Sequence, residues 1–227
     1  MRRPTRPRQC DFVFKAWGGA RKGAGRKPVG ERAGVSHRTR PRINANLPAH
    51  VTLKMKRGIW HLRTPKPFAT VLCAIKSASN TCFRVCEFSV QCDHIHLLVE
   101  ADDNLSLARG VQGLSVRIAR GLNRVMRRTG KVLRDRFHAR LLNTPREVKL
   151  ALAYVLRNGA RHLAQRGRAV QPFWLDPYSS AASFKGWSVD IVAPTSGIIA
   201  LSAPISWLLR CGWKKAGLID PWITSIA

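Results

Sequence analysis

His94 and His96 flank one bulky apolar residue, Ile95, within the run Gln91 to Glu100, QCDHIHLLVE. An alternating stretch, Phe83 to Val90, precedes them. β-Branched and aromatic residues with period-two alternation predict a strand. On a strand, residues i and i+2 face the same way. The two histidines therefore stand side by side, about 7 Å apart, while Ile95, Leu97 and Val99 point into a core. Two imidazoles so placed can close on one divalent cation. The spacing alone serves equally well for two histidines solvated on an open sheet face.

A second pair, Tyr154 and Asn158, lies four residues apart in a helical stretch and so on one side of it. Taken singly, Tyr154 reads as an amphipathic residue at the edge of a core, and Asn158 as ordinary helix polarity. Tyr178, the other tyrosine, falls in a Pro/Ser-rich loop.

The elements that must position these residues follow from periodicity. His50 to Lys56 alternates, with Val51, Leu53 and Met55 on one face and His50, Thr52 and Lys54 on the other, which predicts a half-buried strand. Pro67 to Ala78 has Phe68, Val71, Leu72 and Ile75 at helical spacing. Thr81–Ser89 and His94–Glu100 are the next strands, joined at Cys92-Asp93 as an antiparallel hairpin. Leu105 to Thr129 is a long helix, started by Asp103 or Asn104 and ended by Gly130. Lys131 to Leu142 contains a further strand or strand pair. Thr144 with Glu147 forms a capping box, and Pro145 takes the tolerated first turn of a helix that runs to about Gln165. Strand, helix, strand, strand, helix, strand is the ferredoxin-like split βαβ order. The predicted fold class is α+β, an antiparallel ferredoxin-like or RRM-like sheet. Two helices cover one face, and the third is free to pack over the histidines.

Charge narrows the partner. Forty Lys and Arg against twelve Asp and Glu give +28 and a pI near 11.6. Such a field attracts polyanions, nucleic acid first. The long helix carries Arg117, Arg120, Arg124, Arg127 and Arg128 opposite its apolar stripe and holds no acid. A solvated face mixes signs, so this one favours phosphate contact. Residues 1–42 hold thirteen Lys or Arg and two acids. This stretch, with Arg21, Lys22, Arg26 and Lys27 among glycines, cannot bury a core and is expected to be a disordered DNA-binding arm.

Three regions are expected: the arm at 1–42, a main domain at 43–166, and a Trp-rich extension at 167–227 packed on it. Five of the seven tryptophans lie beyond residue 170. The cysteines show no C-x-x-C spacing and are expected to act as small buried hydrophobes. The basic N-terminus lacks the apolar core of a secretory signal. The uncharged stretch Ile191 to Leu209 is broken by Pro194, Gly197 and Pro204, which speaks for loop and short helix over a membrane span.

His94-Ile95-His96-Leu97-Leu98-Val99 and Ala153-Tyr154-Val155-Leu156-Arg157-Asn158 together resemble the HUH nucleases. Among these they look like the single-tyrosine transposases, specifically the REP-associated tyrosine transposases. The resemblance covers roughly residues 50–164. Gly25-Arg26-Lys27-Pro28 also looks like the centre of an AT-hook, and Asp176-Pro177-Tyr178-Ser179-Ser180 looks like a segment of one lineage of the family. Asp93 and Gly159 depart from it, standing where Asn and Pro are frequent.

The resemblance implies that Tyr154 is the nucleophile, with His94, His96 and Asn158 holding Mg²⁺ or Mn²⁺. It implies cleavage and rejoining of single-stranded, hairpin-forming DNA through a 5′-phosphotyrosine, without ATP. It implies a cytoplasmic, nucleoid-associated protein, monomeric or homodimeric, with no membrane partner. Two other readings share the elements: a domesticated DNA-binding protein without turnover, and an RNA-binding RRM-like module. The second lacks an RNP1-like aromatic run on its strands.

Overall fold

The structure is a computed structural model and describes residues 45–170, 174–191, 199 and 201–222. All of these lie in one compact unit, Val35–Ala227. The expected arm at 1–42, with Arg21, Lys22, Arg26 and Lys27, lies outside the described residues.

The element order is β1 (Ala49–Lys54), α1 (Pro65–Lys76), β2 (Phe83–Val90), β3 (His94–Ala101), α2 (Asn104–Val125), β4 (His138–Leu141), α3 (Pro145–Gln165) and α4 (Trp207–Arg210). The four strands form one antiparallel sheet in the order β2-β3-β1-β4, the ferredoxin-like α+β arrangement. Thr52 pairs with His96 and Lys54 with His94 across the β1–β3 ladder.

One face of the sheet is purely apolar. Val51, Leu53, Ile95, Leu97 and Val99 pack there against Val71 and Ile75 of α1 and Leu107, Val111, Leu114, Ile118 and Leu122 of α2. The other face carries Leu98 and the histidines. It meets Val148, Leu152, Val155 and Leu156 of α3, with Trp187, Leu208, Leu209 and Trp213 of the C-terminal region. A β-bulge in β2 serves both faces. Between Val85 and Glu87 the register slips by one, so Phe83 and Val85 share the first core with Phe88 and Val90, and Cys86 turns to the second.

Two sequence expectations change. Helix α2 stops at Val125, well before Gly130. Arg127 takes a left-handed conformation, φ 49°. Its N–H donates to Arg124 O at 3.2 Å, and that of Arg128 to Asn123 O at 2.9 Å. This is a Schellman end with arginine in the seat glycine usually fills. Gly130 instead turns the chain toward β4, its carbonyl accepting from Asn123 Nδ2. The cysteines are also not uniformly buried. Cys86 is buried, Cys92 and Cys211 are half-buried, and Cys73 and Cys82 are exposed.

The C-terminal region is fastened to the sheet by backbone and buried carboxylates. Residues 178–180 add to the free edge of β2: Val90 N donates to Tyr178 O at 2.8 Å and Ser180 N to Phe88 O at 3.0 Å. Glu100, 1% exposed, accepts from Ile205 N, Ser206 N and Ser206 Oγ at 2.6–3.0 Å. Covering that edge satisfies backbone groups that would otherwise recruit another strand. Among the described residues, no helix is long and apolar enough to cross a membrane.

Candidate active site

The site is built where β1, β3 and α3 meet. Strand pairing sets the imidazoles and α3 supplies the residues that close over them. Thr144 starts α3, its hydroxyl accepting from Glu147 N at 3.2 Å, and Pro145 sits in the first turn. Glu147 returns a carboxylate oxygen to Asn143 N at 2.7 Å, so the helix is anchored at its entry. From that start, Tyr154 and Asn158 project toward the sheet on successive turns.

His96 is 4% exposed. Its ring lies 5.1 Å from the Tyr154 ring and 4.7 Å from the His94 ring, both edge-to-face. Its Nδ1 stands 3.1 Å from His50 Nε2 and 3.2 Å from Thr52 Oγ1, both reaching across from β1. His94 Nδ1 is 2.8 Å from Asp93 Oδ1. Each histidine thus has its Nδ1 occupied, which orients the ring and leaves Nε2 as the donor atom. Asp93, one of the two departures from the family pattern, supplies the carboxylate partner for His94.

Two buried polar atoms here have no partner: His96 Nε2 and Asn158 Nδ2, the latter on a residue 1% exposed. Buried polar groups are nearly always satisfied, and an orphan marks a function or an absent ion. An amide turned over presents oxygen where nitrogen stands. Two imidazole nitrogens and an amide oxygen form a donor set that suits a small divalent cation with open positions for substrate. Among the described residues, no three His, Cys, Asp or Glu side chains are grouped to hold a metal. The candidate set therefore depends on the amide of Asn158 as well as the two imidazoles.

Burial keeps the His96 imidazole neutral, as ligation requires. Burial pushes His96 far below the ordinary histidine value, with His50, His94 and His162 adding to the effect. Burial likewise lowers His50 to about 4, helped by His138 and Arg140. His162, one further turn along α3, has its ring 6.2 Å from that of His94, and burial lowers its value too.

Gly159 has a packing reason. A Cβ there would fall 2.0 Å from Asp176 Oδ2. Asp176, 2% exposed, is clamped by both Arg63 guanidinium nitrogens at 2.8 Å, and that guanidinium stacks 4.5 Å over Tyr178. The Asp176–Ser180 segment thus presses α3 onto the sheet beside Asn158. It also explains Tyr178, which is held by Arg63 and Phe68 away from the histidines.

The predicted DNA-contacting arginines do not join this cluster. Arg117, Arg120 and Arg124 line a groove between α1 and α2, over the opposite face of the sheet. Arg127 is exposed just past the helix end, and Arg128 is tied to Thr129 O and Lys131 O. A strand touching both regions must pass a sheet edge.

Sequence reasoning assigned no role to His50, Thr52, Arg140 or Arg161. Arg161 lies 5.8 Å over the Tyr154 ring. Arg140 and Arg161 rim a cleft of about 400 Å³ that opens beside Tyr154. The shared face of His50 and Thr52 was visible in the alternation of β1. Their contact with His96 needed the β1–β3 register, which no local pattern specifies.

The profile of a family described as IS200-like transposase matches residues 45–157. No curated protein sequence matches the chain. A solved structure described as a REP-associated tyrosine transposase bound to a REP hairpin is similar in fold. It has 16% identity and a TM-score of 0.50, covering 74% of this chain and 100% of that one.

Proposed function

Because the chain belongs to the IS200-like transposase family, we propose that it cleaves and rejoins single-stranded DNA through a covalent bond to Tyr154. The observation that carries this reading is the pair of buried, unpartnered atoms, His96 Nε2 and Asn158 Nδ2, with the His96 ring 5.1 Å from that of Tyr154. Such orphans are costly to keep, and a cation site accounts for both.

His94, His96 and Asn158 would hold Mg²⁺ or Mn²⁺, and the cation would polarise the scissile phosphate and neutralise its charge. Tyr154 Oη attacks phosphorus, forming the phosphotyrosine bond as the bond to the 3′ oxygen breaks. The phenolic proton is lost to solvent or base, and the departing oxygen takes up a proton as a free 3′-hydroxyl. A second 3′-hydroxyl reverses the step and joins strands, so no nucleotide cofactor is consumed. Arg161, over the ring, orients the phenol and faces the incoming phosphate. The hairpin held by the solved neighbour makes a hairpin with a single-stranded flank the first substrate to try.

The test is incubation of the full chain with end-labelled hairpin DNA and Mn²⁺ or Mg²⁺, followed by denaturing electrophoresis. Wild type and Tyr178→Phe are expected to form an adduct that chelator prevents, and Tyr154→Phe none. An adduct formed by Tyr154→Phe moves the nucleophile elsewhere. Tight binding with no adduct across several hairpins and both metals favours a DNA-binding protein without turnover.

A further inference from the structure

The cleft between β4 and α3 has a composition that phosphate chemistry alone does not require. Leu142 and Ala151 form its floor, Leu150 and Tyr154 one wall, and Arg140 and Arg161 its rim. Leu150 is 40% exposed on a helix whose other leucines toward the sheet are buried. At about 400 Å³ the cleft falls within the roughly 300–1,000 Å³ range of small-ligand sites. We propose that it is a single-nucleotide subsite, which takes the unpaired nucleotide next to the scissile phosphate.

This rests on the strand-cleaving reading and specifies its substrate at that same site. An apolar floor, an exposed leucine and an aromatic edge accept the face of a base, which any base offers without sequence preference. A duplex has no free base face to insert, so the strand must be single at this position. Two guanidiniums on the rim match the backbone phosphates on either side.

Arg140 is held ready for that role. It pairs with Glu147 at 2.9 Å, yet its side chain is 64% exposed, and exposed pairs of this kind contribute little. Glu147 keeps its second oxygen on Asn143 N. Arg140 can therefore leave Glu147 for a phosphate without undoing the start of α3. Glu147 is the acid lining the cleft, and it acts as a stand-in anion until DNA arrives.

The experiment measures binding, so that it does not depend on turnover. Full-length Tyr154→Phe protein is titrated by fluorescence anisotropy with hairpin oligonucleotides. Their single-stranded flank carries one abasic position at a time. One flank position is expected to weaken binding about tenfold when its base is removed. That penalty is expected to disappear when Leu150→Ser is added. Arg140→Ala should reduce the slope of log affinity against log salt by about one. Glu147→Gln, which keeps the cap acceptor, should tighten binding, and only while Arg140 is present.

An abasic penalty that persists in full with Leu150→Ser overturns the subsite. So does a Glu147→Gln gain that persists in Arg140→Ala. If these couplings hold but wild type forms no covalent adduct, the strand-cleaving reading fails and the nucleotide site stands. If the adduct forms and the couplings are absent, the cleft proposal alone fails.

Discussion

The two faces of the sheet obey different rules. Toward α1 and α2, every inward residue of β1 and β3 is aliphatic, and the core closes without a buried polar side chain. Toward α3, the sheet presents His50, Thr52, His94, His96 and Glu100, and the helix answers with Tyr154 and Asn158. The first face stabilises the fold by removing apolar area from water. The second face gives up part of that gain to hold neutral imidazoles and an unsatisfied amide. It is kept shut by fasteners from the C-terminal region: Asp176 on Arg63, and Glu100 on residues 205 and 206. Sites of chemistry are placed where stability has been sacrificed, and the sacrifice is made up elsewhere in the chain.

The contrast breaks most severely at the fasteners. Arg63→Ala leaves Asp176 buried and unpaired, which should cost about 3–5 kcal/mol of stability. Urea melts at neutral pH measure it, and a loss under about 1 kcal/mol would mean that water reaches Asp176. On the apolar face, Leu114→Ala should cost about 2–5 kcal/mol. Cleavage per folded molecule, assayed well below the melting temperature, should be unchanged. A specific loss of activity there would mean that the two faces are coupled.

Acid separates the faces by charge. His50, held near pH 4, stays neutral in the folded protein where the unfolded chain titrates at 6.5. As pH falls below 6.5 the unfolded state binds protons that the folded state refuses. Stability should therefore drop by roughly 3 kcal/mol by about pH 4 from this residue alone. The buried His96 adds in the same direction. Melts between pH 7 and pH 4 on wild type and His50→Gln should show a shallower acid limb in the variant.

Asn158→Leu replaces an unsatisfied buried amide by an apolar side chain of similar size. It should raise stability by about 1 kcal/mol while abolishing Mn²⁺ binding, measured calorimetrically without DNA. A variant that binds the cation as well as wild type would remove Asn158 from the proposed ligands. The smallest effect is expected at the end of α2. Arg127→Gly relieves a left-handed arginine and should gain up to about 1 kcal/mol, at some loss of DNA affinity if that arginine meets phosphate.

Much of the fold was legible because its signals are local. Alternation in β1 and β3, the helical stripe of α2 and the Thr144–Glu147 cap each depend on a few neighbouring residues, and their order selects the split βαβ topology. The end of α2 was misread for the same reason. A glycine five residues beyond the helix looked like its terminator, whereas the Schellman bonds formed around Arg127. The bulge at Cys86 was hidden, because one inserted residue leaves the apolar content of β2 unchanged and alters only its phase.

The sequence by itself determined the chemistry on offer: two imidazoles on one strand face, a phenol and an amide one helical turn apart, and a chain charged for polyanions. Those follow from periodicities of two and about 3.6 residues, which the local backbone imposes. Tertiary structure alone decided what the groups meet. Strand register placed His50 and Thr52 on His96 Nδ1, and packing of α3 buried Asn158. A segment from beyond residue 175 then took the space that a Cβ at Gly159 would fill. The arginine row, plain in the sequence, came to lie across the sheet from the tyrosine. Contacts between residues far apart in the chain depend on how whole surfaces fit together, and no local window of sequence contains that information.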